Sequence, residues 1–279
     1  MENSDTSLRN TSPRFFRITA VLLTVFFSLT ISFAQDQQSN GVKLQFSDGR
    51  PAVSGFENVN AVLSKVGVRT SLVEVPKQAS AILGSAKDRA LSENEKQQLL
   101  SLFNLSRAEL LEQVRLAGRI PEGHRGGFLN IKATNGGTYP NISDLQSFSK
   151  KSRSEAIKMF GKLHINMSDD GMSIDETMTV ISGGEFIWFF VLPDGVISKL
   201  TALTVDPGDK AVRVSYPGMV IHAGYFPEKG VAVGFAHGPK EFTIRFNESM
   251  VAHFELLNTN PWIDFTQETP KLLESITKK

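Results

Sequence analysis

Apolar side chains alternate with polar ones over Val42, Leu44 and Phe46. That period of two predicts a strand with one buried face. Ser47-Asp48-Gly49-Arg50-Pro51 then supplies turn residues. Asn58–Lys65 predicts a short helix, and Val68–Val75 a second strand stopped by Pro76. Further on, Ser92 with Glu95 and Ser106 with Glu109 carry capping-box spacing, each ahead of a leucine-rich run. In such a box the serine oxygen accepts from a free backbone N–H and the glutamate returns the bond. Two boxes in succession predict a helical hairpin, and Ser154–Leu163 predicts another helix. From His164 the texture changes to short β-rich runs: Thr177–Ser182, Phe186–Leu192, Val196–Val205, Ala211–Ser215, Met219–Tyr225, Val231–Ala236 and Phe242–Phe246. Turn signals such as Pro193-Asp194-Gly195 and Asp206-Pro207-Gly208-Asp209 separate them. Strands at that spacing mean a sandwich or a barrel.

The N-terminus follows a different rule. Arg14 and Arg17 precede an uncharged, mostly apolar run from Ile18 to Phe33, and Ser32 and Ala34 place small side chains before Gln35. This is the pattern of a secretory signal, with cleavage expected after Ala34. An uncleaved N-terminal anchor is the alternative. Export leaves periplasmic and fully secreted destinations equally open. Three regions result: 1–34 as signal, 35–160 as an α+β, partly helical extension, and 161–279 as the β-rich domain with a C-terminal tail.

Composition narrows the chemistry. The chain has 279 residues and no cysteine, so disulfides, thiolate metal sites and cysteine nucleophiles are excluded. Its net charge of +1 gives no electrostatic footprint for nucleic acid or for an anionic membrane surface once the signal is removed. No G-x-S-x-G elbow, H-E-x-x-H helix or P-loop occurs. Twenty phenylalanines against three tyrosines stand out. Phe186, Trp188 and Phe190 fall on one strand face, as core or as the wall of a pocket for a small aromatic or aliphatic molecule.

One pair of windows carries candidate chemistry. Glu176 is followed by six residues and Gly183, and Pro217-Gly218 precedes His222. These windows resemble the two halves of the cupin signature, over about ninety residues. The resemblance implies a small antiparallel β-barrel whose inward-facing glutamate and histidines bind a divalent metal. Alternation places Glu176, Met178 and Val180 on one face. Imidazole with carboxylate suits iron, manganese, zinc or nickel. The chain departs from the pattern ahead of Glu176, where Asp169-Asp170-Gly171-Met172-Ser173 stands in place of the usual histidines. Asp170, His164 and His237 are therefore the candidates to complete a set begun by Glu176 and His222. His124 and His253 have no partner at useful spacing.

The expectation is a mainly β, cupin-like antiparallel barrel with an N-terminal helical extension. Three functions remain open. One is a metal-dependent dioxygenase, isomerase or lyase acting on a small organic substrate. Another is a metal-free module that binds a small ligand. The third is an interaction protein or homo-oligomer assembled through the helical hairpin.

Overall fold

The computed structural model describes residues 41–121, 127–203, 205–206 and 210–276. The expected signal, His124 and the Pro207-Gly208-Asp209 turn lie outside them. Residues 38–279 cluster as one unit.

Two five-stranded sheets hold the centre. The first runs β12 (His222–Tyr225), β9 (Phe186–Val191), β10 (Ile197–Ala202), β1 (Val42–Phe46) and β2 (Val53–Ser54). The second runs β3 (Arg69–Val73), β11 (Ala211–Pro217), β8 (Asp175–Gly183), β13 (Gly230–His237) and β6 (Asn141–Asp144). All pairings in both are antiparallel. A smaller sheet orders β5 (Thr138–Tyr139), β4 (Ile131–Ala133), β14 (Glu241–Arg245) and β7 (Ile165–Met167), with β4 and β14 parallel. Strands β15 (Ile263–Asp264) and β16 (Lys271–Leu272) form a separate pair. The protein is therefore mainly β, with antiparallel sheets and a few helices. Among the described residues the strand pairings form open sheets, and none closes a complete barrel.

Alternation explains the layering. On β1, Val42, Leu44 and Phe46 are buried as their spacing predicts, and they join Trp188, Phe190 and Leu200 of the first sheet. Val180, Val212 and Val214 of the second sheet meet them in the same core. Helix α1 (Phe56–Leu63) adds Val59 and Leu63.

The outer face of the second sheet is covered by helices. After the short α2 (Ser80–Ser85), α3 (Glu93–Leu102) and α4 (Arg107–Leu116) start at Ser92 and Ser106, each in a complete capping box. Leu99, Leu110 and Val114 pack on Ile181, Val231 and Phe235. The apolar side of the hairpin is thus spent on its own sheet. On the outer face of the first sheet, Ile187, Phe189 and Ile197 pack with Ile157 of α5 (Lys150–Phe160) and with Trp262 and Ile263. No described helix is long and apolar enough to cross a membrane.

The segment 35–160 contributes strands to both large sheets: β1 pairs with β10, β3 with β11 and β6 with β13. Pairing therefore crosses the 160/161 position. The predicted run Met219–Tyr225 becomes a strand only from His222. Before it, Gly218 N–H donates to Ile174 O at 2.6 Å and Val220 N–H to Pro217 O at 3.2 Å, so the backbone turns there instead of extending.

A candidate site of two histidines and a buried glutamate

Four side chains from three strand segments converge on one cavity. Backbone N–H groups of His164 and His222 exchange hydrogen bonds with each other's carbonyls, which ties the start of β7 to the start of β12. Asn166 lies two residues after His164 and so shares its face. Glu176 comes from β8, where Asp175, Thr177 and Thr179 take the opposite face. Met178, the next residue on the Glu176 face, also lines the cavity.

The two imidazoles are held alike. Nδ1 of His164 is 2.7 Å from Lys162 O, and Nδ1 of His222 is 2.7 Å from Val220 O. A carbonyl only accepts, so Nδ1 carries the proton in both rings and Nε2 is left as an acceptor. Ring centroids lie 4.5 Å apart. His222 Nε2 is 3.5 Å from Glu176 Oε2. Asn166 Nδ2 donates to Glu176 Oε2 at 2.8 Å and stands 3.3 Å from His222 Nε2. The Tyr139 hydroxyl donates to Glu176 Oε1. Tyr216 stands directly across from Glu176 in the β8–β11 register and lines the same cavity. Gly234, opposite Asn141 on β6, permits this crowding: a Cβ there would stand 2.9 Å from Asn141 Oδ1 and 3.0 Å from the Tyr139 ring.

Burial sets the charge state. Loss of water pushes His164 down to about 3, helped by neighbouring His222, and pushes His222 down to about 4. Both rings are neutral near pH 7. Glu176 is raised by burial, against the pull of its hydrogen bonds from Tyr139 and Asn166. Tyr139 and Tyr216 are pushed well above the ordinary phenol range, by burial first and Glu176 second.

The cavity beside these groups measures about 140 Å³. Phe160, Phe186, Trp188, Phe226 and Phe242 wall it. Phe186 and Trp188, read from the sequence as core or pocket wall, serve as both.

Of the five residues singled out in the sequence, the structure brings Glu176, His222 and His164 together. His237 falls on the other face of β8, across from Asp175 in register, with its Nδ1 4.0 Å from the Asp175 carboxylate. Arg107 Nε donates to His237 Nε2 at 3.2 Å, and Arg119 pairs with Asp175 at 2.5 Å. Asp170 sits in an exposed turn, where Ser168 donates to it. Asn166, Tyr139 and Tyr216 escaped the sequence reading. The spacing His164-x-Asn166 was the available signal, since alternation places both on one face.

As placed, no three His, Cys, Asp or Glu side chains among the described residues form a group able to hold a metal ion. The chemistry of the donor set nevertheless suits one. Ligands about 2.1 Å from a shared ion stand roughly 3.0–3.4 Å apart at octahedral or tetrahedral angles. The His222–Glu176 separation of 3.5 Å lies close to that. Asn166 Oδ1 is buried without a partner, while its Nδ2 bridges the other two groups. Reversal of that amide would turn an oxygen toward them. In donor type His164, His222, Glu176 and Asn166 thus suit a cation, with the Asn166 amide now standing between His222 and Glu176.

No protein-family model matches the chain, and no curated protein matches it. Among solved structures, the cadmium-containing acireductone dioxygenase from Bacillus anthracis superposes with a TM-score of 0.46 at 15% identity, covering 70% of this chain and 92% of that one.

Proposed function

We propose that this chain is an exported, cupin-like enzyme that uses a divalent cation held by His164, His222 and Glu176, with Asn166 alongside, on a small organic substrate. The observation that carries the reading is the matched pair of imidazoles. Each spends its Nδ1 proton on a backbone carbonyl two residues earlier, leaving Nε2 for a cation beside Glu176. Two histidines and one carboxylate form the donor set of non-haem iron oxygenases, so dioxygenase chemistry is favoured over isomerase or lyase. Iron is the preferred ion on that ground, with manganese, zinc and nickel as alternatives. A bound cation would supply Lewis acidity or oxygen activation. The protein's own groups keep both imidazoles neutral, hold Glu176 in place through Tyr139, and surround the substrate with aromatic side chains that exclude water.

Export and the barrel belong to the same proposal. The charged-then-apolar pattern from Arg14 to Ala34 supports the first, and the Glu176–Gly183 and Pro217–His222 windows support the second.

The test is metal retention. The chain from Gln35 is stripped with chelator, incubated separately with Fe²⁺, Mn²⁺, Zn²⁺ and Ni²⁺, desalted and assayed for metal, beside His222→Ala and Glu176→Ala. Near-stoichiometric ion in the parent and its loss in both folded variants is the expected result. A second reading, a metal-free binding cavity, is favoured by the Asn166 amide already bonded between His222 and Glu176. Folded parent protein that retains none of the four ions would establish that reading over the first.

A further inference from the structure

A glycine inside a strand costs stability, because it frees the unfolded backbone and gives the sheet no side chain to pack. Close approach accounts for two glycines near the site. A Cβ at Gly218 would stand 2.5 Å from Asn166 O, and one at Gly234 would stand 2.9 Å from Met178 Sδ. Gly224 of β12 has no such reason. Its φ does not lie in the left-handed region, and the nearest atom to a Cβ there would be Phe226 Cζ at 3.6 Å, an ordinary contact. The backbone would therefore accept a side chain at this position.

What the missing side chain leaves open is the cavity. Gly224 comes two residues after His222, so both point to the same face of β12. In the β12–β9 register His222 lies opposite Phe190, and Gly224 opposite Trp188. Those two aromatics belong to the core between the large sheets. Phe189 and Ile187, opposite Ala223 and Tyr225, belong to the cluster on the outer face. A side chain at 224 would thus project between the sheets, where Gly224, Trp188 and Phe226 line the cavity. Two residues of strand span about 6–7 Å, so a group seated beside Gly224 can turn its near edge to His222 and Glu176. The cavity's volume of about 140 Å³ compares with the roughly 150 Å³ of an apolar protein cavity that takes up benzene.

We infer that Gly224 is a specificity-determining residue: the space left by its missing side chain seats a single-ring hydrocarbon group of the ligand, with the ring's near edge toward His222 and Glu176. This rests on the reading of the cavity as the functional site. It concerns only the apolar end and asks nothing of the histidine, asparagine or glutamate side chains, so it is compatible with a held ion and with none.

Toluene is the probe, titrated at pH 7.5 in chelator into the chain from Gln35 and into its Gly224→Ala and Gly224→Val variants. Methyl signals of Met178 and Ile244, both at the cavity, are followed by NMR, and stability by urea unfolding. Toluene should shift both methyls saturably in the parent. Gly224→Ala should weaken binding about fourfold and Gly224→Val at least about tenfold, as one and then three added carbons take the ring's place against the walls. Both variants should resist urea at least as well as the parent, since a strand gains from a side chain there. No saturable shift in the parent would overturn the inference, as would Gly224→Val binding within threefold of the parent. Loss of stability in both variants would also overturn it, by making Gly224 a packing glycine. Toluene binding that depends on Gly224 in a protein retaining no ion sinks the metal reading alone. An ion-retaining protein whose toluene binding ignores Gly224 sinks this inference alone.

Discussion

Acid should weaken this fold through its paired imidazoles, and the amount follows from the geometry. In the unfolded chain a histidine titrates near 6.5. In the folded protein His222 is pushed down to about 4 and His164 to about 3. A depressed histidine contributes stability above its unfolded value and loses it as pH falls, because the unfolded chain takes the proton first. A pH of 5.0 lies about 1.5 units below 6.5, and both rings are still unprotonated there in the fold. Each pH unit is worth about 1.4 kcal/mol, so each ring costs about 2 kcal/mol relative to pH 7.5. The loss starts below about pH 6.5 and continues to the folded values. Glu176 acts with the opposite sign, since its raised carboxyl takes a proton more readily in the fold. The measurement is therefore a difference. Urea unfolding of chelator-treated parent and His222→Gln, followed by tryptophan fluorescence at pH 7.5 and 5.0, cancels Glu176 to first order. His164 remains depressed in the variant, because burial is the first cause of its shift. The parent should lose about 2 kcal/mol more than the variant between the two pH values. Equal losses would refute the assignment of His222 as a buried neutral imidazole.

Three further expectations concern the scaffold. Asp175→Asn removes the carboxylate that faces Arg119 at 2.5 Å inside the protein, and should cost about 3–5 kcal/mol in urea unfolding. A loss below 1 kcal/mol would show that the pair is not buried as described. Ser106→Ala deletes the cap that accepts from Glu109 N–H and should lower stability by about 1 kcal/mol, with no change in ligand or metal binding. Gly183→Ala forces a side chain onto a backbone with φ of 106°, its Cβ 2.2 Å from Gly230 Cα, and should cost about 2 kcal/mol or more. An unchanged melting temperature would contradict that close approach.

Much of the β-rich half was legible because its strands are bounded by turn chemistry. Phe186–Leu192 and Phe242–Phe246 were placed within a residue or so of the observed β9 and β14. Both serine caps were readable because a capping box is local: the bonding groups lie three residues apart. Which strands pair was not legible. Nothing in Val42–Phe46 announces that its neighbour is Ile197–Ala202, since pairing depends on a topology that local spacing does not encode. The site shows the same division. Glu176 and His222 stood out through the cupin-like windows, and His164 as a nearby histidine. Asn166 was passed over because an amide is a weak flag in a sequence, and its role appears only once β7 is laid beside β8 and β12. His237 and Asp170 looked like ligands by residue type, but strand alternation turned one to the far face and a turn carried the other to the surface.

The pairing of β1 with β10 bears on the order of events in folding. Val42 meets Ala202 across most of the chain, and Thr70 of β3 meets Val214 across a similar span. Contacts so distant in sequence demand closure of very large loops, which slows folding. Until the early strands dock, β10 and β11 each present an open edge of unpaired N–H and C=O groups, ready to recruit any other extended segment. A second copy carries the same early strands, so crowded or interrupted synthesis should favour exchange of residues 42–73 between chains. The pairing that completes both sheets within one chain is thus also its most exposed route to a swapped dimer or an aggregate.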